Sequence, residues 1–120
     1  MILTEGFPPE HLALLNSPAC VYGIFDSAGK LIYSGVTKHC DDPEKRWTVA
    51  MRLRKFGQPT TIRSLFKDTR YVCLKLEAFL VSMIASEYNI LPGGGRFWKK
   101  GHPLPDDCLL ELIDRMEISV

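Results

Sequence analysis

Cys20 to Thr37 reads CVYGIFDSAGKLIYSGVT, and this stretch decides the fold. Two short apolar runs, Val21 to Phe25 and Leu31 to Val36, alternate in the manner of half-buried strands. Between them Asp26 to Lys30 carries turn chemistry, an aspartate able to bond nearby amides and Gly29 able to take positive φ without a steric penalty. The stretch is therefore predicted to be a β-hairpin. With a period of two, Tyr22, Ile24 and Asp26 share one face of the first strand, and Leu31, Tyr33 and Gly35 share one face of the second. The tyrosines can thus stand on the same side, with Gly35 leaving open space beside Tyr33. Cross-strand packing accounts for two tyrosines as readily as chemistry does.

Around the hairpin the chain has 120 residues and is 46% hydrophobic, enough for one domain that buries about two thirds of its unfolded surface. The expected organisation is a single domain over 1–120, with a core at about 20–95, a helical extension at 1–18, and a basic loop and helix at 96–120. No apolar run approaches the about 18 residues of a membrane span, and no basic region followed by an apolar block opens the chain. An intracellular location, cytoplasmic or nucleoid-associated, is expected. Cys20, Cys40, Cys73 and Cys108 stand singly without a C-x-x-C pair, so they are read as reduced thiols.

Formal net charge is only +1, but its distribution is lopsided. From Lys45 to Arg70 the bases Lys45, Arg46, Arg52, Arg54, Lys55, Arg63, Lys67 and Arg70 face a single acid, Asp68. Arg96, Lys99 and Lys100 form a second cluster interleaved with Phe97 and Trp98, a mixture suited to backbone contact and stacking on nucleic acid. A solvated helix face explains the first cluster equally well.

Before the hairpin, residues 11–15 read as a short helix. After it, Asp42, Pro43 and Glu44 are a helix-start signal, and a helix is predicted to run to about Phe56, stopped by Gly57. Val49, Ala50 and Leu53 lie three, four and seven residues after Arg46, so Arg46 is placed in line with the expected core face. A guanidinium there snorkels out or serves an inner cleft. Residues 60–66 read as a third strand, and Asp68 as the cap of a long helix to about Tyr88.

On that long helix the polar stripe is Lys75, Ser82 and Ser86, and Glu77 lies roughly opposite Lys75 among Cys73, Leu80, Val81 and Ile84. An unpaired buried carboxylate costs several kcal/mol. Glu77 must then be protonated, paired with a base such as Arg46, or bound to a cation. Past the helix end, Asn89 and the glycines at 93–95 read as a flexible connection, and Pro105 to Met116 as a final helix that covers the sheet or meets a partner.

In this order the pieces resemble the GIY-YIG nucleases: Val21-Tyr22 in CVYGI, Tyr33 to Gly35 in LIYSGVT, Arg46 on the next helix, Leu76-Glu77 on the long helix, and Tyr88-Asn89 beyond it. Together they cover about 20–95. The resemblance implies an α+β fold with a small, mainly antiparallel three-stranded sheet flanked by helices, and a metal-dependent endonuclease acting on DNA. It further implies that Glu77 binds Mg2+ or Mn2+, that Tyr22 is the general base and Tyr33 a positioning phenol, and that Arg46 clamps the phosphate. Gly35 and Asn89 would shape the site, and Lys38, His39, Arg52, Lys55, Arg96, Lys99 and Lys100 would contact nucleic acid. Cys20 replaces the family's first glycine, Ser34 its second isoleucine, and Ala50 a histidine common in relatives, for which Lys38 or His39 is the candidate substitute. Sequence specificity would come from loops, a homodimer or a partner protein. The alternative is a non-catalytic nucleic-acid-binding or protein-interaction module on the same fold.

Overall fold

The computed structural model describes residues 15–83 together with Glu111, Asp114 and Arg115. In chain order it contains strand β1 (Pro18–Phe25), strand β2 (Leu31–Thr37), a short 3-10 turn (Pro43–Lys45), helix α1 (Val49–Phe56), strand β3 (Thr61–Thr69) and helix α2 (Arg70–Met83). The strands form one antiparallel sheet in the order β2-β1-β3, so the chain is α+β. Among the described residues no helix is long and apolar enough to cross a membrane. Asn89, Arg96, Lys99, Lys100 and the predicted final helix lie outside the described residues, apart from the three named. So does the predicted helix at 11–15, except for Leu15, which is helical and fully buried.

The hairpin turn forms as its residues dictate. Asp26 Oδ1 accepts the N–H groups of Ala28 and Lys30 at 3.0 and 2.9 Å, while Gly29 takes φ +84° and donates its N–H to the Asp26 carbonyl. Such a turn needs a residue free of the Cβ penalty at positive φ. Pairing then runs Cys20 with Thr37, Tyr22 with Gly35 and Ile24 with Tyr33. Between Ile24 and Phe25 the register shifts, so that Phe25 faces Leu31. The predicted grouping of Leu31 with Tyr33 is therefore corrected: an extra residue flips the following side chain to the other face, and Leu31 packs with Phe25 instead.

Alternation divides β1 between two clusters. Ala19 and Val21 pack with Tyr71, Cys73, Leu76 and Leu80 of α2, each buried apolar side chain contributing about 1.5–3 kcal/mol. Tyr22 and Ile24 pack with Ile32, Trp47 and Phe56. The two sides of this strand thus hold the sheet to both helices.

The predicted continuous helix from Pro43 is broken. Asp42 makes no side-chain cap bond, and the first turn closes as a 3-10 turn with Arg46 at its end. Thr48 restarts the chain as α1, its extended backbone bringing Oγ1 to the Met51 N–H at 3.2 Å. Gly57, at φ +66°, closes the helix by donating to the Leu53 carbonyl. The predicted inner stripe also proves to lie outside: Val49 is 55% and Leu53 48% exposed, while Arg52 and Phe56 are each 4% exposed. Phe56 offers the larger apolar surface, and Arg52, one turn before it, can be buried because its donors are met. Arg52 Nη1 donates to the Trp47 carbonyl at 2.8 Å, Nε to Thr60 Oγ1 at 3.1 Å and Nη2 to Glu44 Oε1 at 3.2 Å. Arg52 is consequently a structural residue, correcting its assignment to nucleic-acid contact, and Arg46 is exposed and off the core face.

Strand β3 runs three residues further than residues 60–66. Leu65 is the extra residue at a shift opposite Val21 and Tyr22, and it packs against Phe25 and Leu31. Asp68 stays in the strand, paired with Ala19, and does not cap the helix. That place falls to Thr69, whose Oγ1 accepts the Val72 N–H at 3.4 Å. Arg52→Ala is expected to destabilise the domain by about 2 kcal/mol in denaturant titration, because it strands the Trp47 carbonyl, while Arg54→Ala at an exposed position stays within about 0.5 kcal/mol.

Candidate active site

Tyr22 stands at the centre of the first sheet face because its strand partner is glycine. A Cβ on Gly35 would lie 2.5 Å from Tyr22 Cζ and closer still to its oxygen, so any side chain there displaces the ring. From the other direction the Trp47 indole N–H donates to Tyr22 Oη at 2.8 Å in a buried bond. Tyr22 and Tyr33 lie on the same side, as alternation predicts, with ring centroids 6.3 Å apart and planes 28° from parallel. Edge contacts of Tyr33 to Trp47 at 5.4 Å and to Phe56 at 5.9 Å complete an aromatic box.

Two cations lie on the box. Lys55 Nζ is 4.9 Å from the Tyr33 ring centre and 5.1 Å from that of Trp47, and the Arg46 guanidinium is 5.9 Å from the Trp47 ring. Both residues are exposed, whereas Tyr22 is buried and Tyr33 half-buried. The positive charge of Arg46 favours the ionised form of both tyrosines. Lys38 and His39 are exposed in the loop that follows β2.

Glu77 reaches the site from α2. It is 6% exposed, and its carboxyl has no hydrogen bond or ion pair among the described residues. The predicted alternative of an Arg46–Glu77 ion pair is therefore not formed. Burial pushes the Glu77 carboxyl up to about 8, so the carboxylate is the minor form at neutral pH. Its charge is nevertheless felt at Tyr33. Burial raises the Tyr33 phenol, the Glu77 charge raises it further, and bonding to Tyr22 and the charge of Arg46 act the other way.

Tyr22 shows the same contest more sharply. Burial is the largest influence and raises its phenol above the ordinary value. Trp47 and Arg46 favour the phenolate, but they do not overcome burial. Removing water from around a phenolate costs more than one solvent-facing guanidinium returns.

Of the four residues named from sequence, Tyr22 and Tyr33 stack beside Arg46, and the buried Glu77 on α2 is near enough for its charge to act on Tyr33. Trp47 and Phe56 complete the arrangement and were not among them. One signal was available for Trp47, since a buried indole N–H requires an acceptor and the nearest candidates in the hairpin are phenols. No group of three or more His, Cys, Asp or Glu side chains that could cage a metal occurs among the described residues. Among the described residues Glu77 is a buried carboxylate without a hydrogen bond or ion pair, and it could serve as a single ligand to a hard cation that keeps most of its waters.

Compared with known proteins, the chain matches no family model, no curated protein and no solved structure.

Two outcomes follow from this geometry. Gly35→Ala is expected to expel the Tyr22 ring, seen as loss of the near-ultraviolet aromatic signal and a lowered melting temperature, whereas Gly29→Asn in the open turn keeps the signal. Glu77 holds its proton more tightly folded than unfolded, so its contribution is complete below about 4.5 and is lost as pH rises through about 8. The melting temperature of the wild type should accordingly fall across that window relative to Glu77→Gln, and equal slopes for the two would show that the carboxyl is not buried in solution.

Proposed function

We propose that the chain is a GIY-YIG-type endonuclease that hydrolyses phosphodiester bonds in DNA with the help of one divalent cation. The observation that carries this reading is the pair of stacked phenols with the Arg46 guanidinium beside them, together with a buried carboxylate that has no hydrogen bond or ion pair among the described residues and whose charge acts on Tyr33. A packing role alone gives no reason to bury an ionisable carboxyl at this position, where an apolar side chain would avoid the cost of desolvation. The α+β sheet with a helix on each side agrees with the fold that the resemblance implies.

Glu77 is the residue that would hold Mg2+ or Mn2+, and a bound cation would polarise the scissile phosphate and steady the leaving oxygen. Arg46, exposed above the phenols, pairs with a non-bridging phosphate oxygen and offsets the charge that builds in the transition state. Tyr22 takes the proton of the attacking water, and the Trp47 N–H bonded to its oxygen stabilises the phenolate so formed. Tyr33, less buried, orients the water or a phosphate oxygen. Lys55 adds positive charge at the mouth, where the DNA backbone approaches. Because the phenol and the Glu77 carboxyl both hold their protons at neutral pH, turnover is expected to rise with pH through about 8.

Supercoiled plasmid incubated with Mg2+, Mn2+ or EDTA tests the proposal. Nicking should require the metal and fall by about a hundredfold or more in Glu77→Ala and in Tyr22→Phe. Nicking that survives both substitutions removes the site assignment. DNA binding without nicking, unchanged by Glu77→Ala, selects the non-catalytic module instead.

A further inference from the structure

We infer that the ring of Tyr33 is a stacking platform for an unpaired nucleobase, and that Lys55 covers it until such a base arrives. Three rings surround Tyr33: Tyr22 stacks on it with centroids 6.3 Å apart, and Trp47 and Phe56 meet it at 73° and 63°. Those three are buried, yet Tyr33 is only half-buried. Its open side is where the exposed Lys55 lies, with the ammonium over the ring at 4.9 Å from its centre. Lys55 makes no ion pair among the described residues, and its contacts there are cation–π contacts with Tyr33, Trp47 and Phe56.

The strength of those contacts decides what can displace the lysine. An ammonium over a ring at an exposed site is held weakly, and a nucleobase stacked on the same ring is held more strongly. An external ammonium gains nothing by the exchange, since it replaces one cation over the rings by another. Once displaced, the Lys55 ammonium pairs with the phosphate of the incoming nucleotide. Arg46, whose guanidinium is 5.9 Å from the Trp47 ring, stands on the same aromatic cluster to meet a neighbouring phosphate.

The platform also selects the form of the nucleic acid. A base inside a duplex has both faces covered by its neighbours, and extruding it costs about as much as the new stack returns. Single strands, ends and bulges offer a bare face without that cost. The choice of nucleic acid as the partner rests on the nuclease reading; the open ring and the lysine that covers it do not.

Binding of the full chain to fluorescently labelled DNA in EDTA, read by anisotropy, tests this without cleavage. A duplex carrying one unpaired base should bind about fivefold or more tighter than the fully paired duplex, and an abasic site in place of that base should remove the difference. Tyr33→Leu should remove it as well, Tyr33→Phe should keep it, and Lys55→Ala should weaken binding to every duplex while the preference stands. Equal affinity for the abasic and the base-bearing bulge would overturn the inference, whether or not the Tyr33 variants fold. So would a preference that survives Tyr33→Leu in a protein whose melting temperature shows it folded. Preference for the unpaired base without metal-dependent nicking would count against the nuclease reading alone, and nicking without the preference against this inference alone.

Discussion

The buried hydrogen bond from the Trp47 indole to the Tyr22 phenol joins the hairpin to everything that follows it in the chain. Tyr22 can accept that bond only because Gly35 leaves room for its ring. Trp47 in turn is fixed through its carbonyl by Arg52, whose other donors reach Thr60 and Glu44. A continuous line of hydrogen bonds therefore runs from the central strand, through the break between the 3-10 turn and α1, to the start of β3. Arg46 and Lys55 are held over the aromatic box by this line and not by core contacts of their own.

Charge is distributed across the site in depth. The two bases lie toward solvent, the phenols behind them, and the acid is buried on α2. Burial dominates every titrating group in the interior, raising the two phenols and the carboxyl together, because each loses more hydration than neighbouring charges restore. A group kept neutral in this way is poised, and a cation at the carboxylate would release its proton.

The hairpin was legible because its signals are local. Asp26 and Gly29 make their turn through bonds within five residues, and period-two alternation places Tyr22 and Tyr33 on one side. Glu77 was legible for a different reason, since a carboxylate opposite the polar stripe of an otherwise apolar helix is conspicuous in any packing. Helix α1 misled because its apolar stripe has the correct period but the wrong side. Periodicity reports that a face exists, not which neighbour competes for it, and here Phe56 with a fully bonded Arg52 displaced Val49 and Leu53. The capping signals misled similarly, as Asp42 and Asp68 compete with Thr48 and Thr69 only a few residues away.

By itself the amino-acid order determined the antiparallel hairpin, the α+β character, the shared side of Tyr22 and Tyr33 and the burial of Glu77, because turns, alternation and misplaced charges act within a few residues of chain. Only the tertiary structure decided that Trp47 clamps Tyr22, that Arg52 is a support and Arg46 the exposed base, and that the phenols remain protonated. Those outcomes depend on which groups lose water together, a property of contacts between segments far apart in sequence.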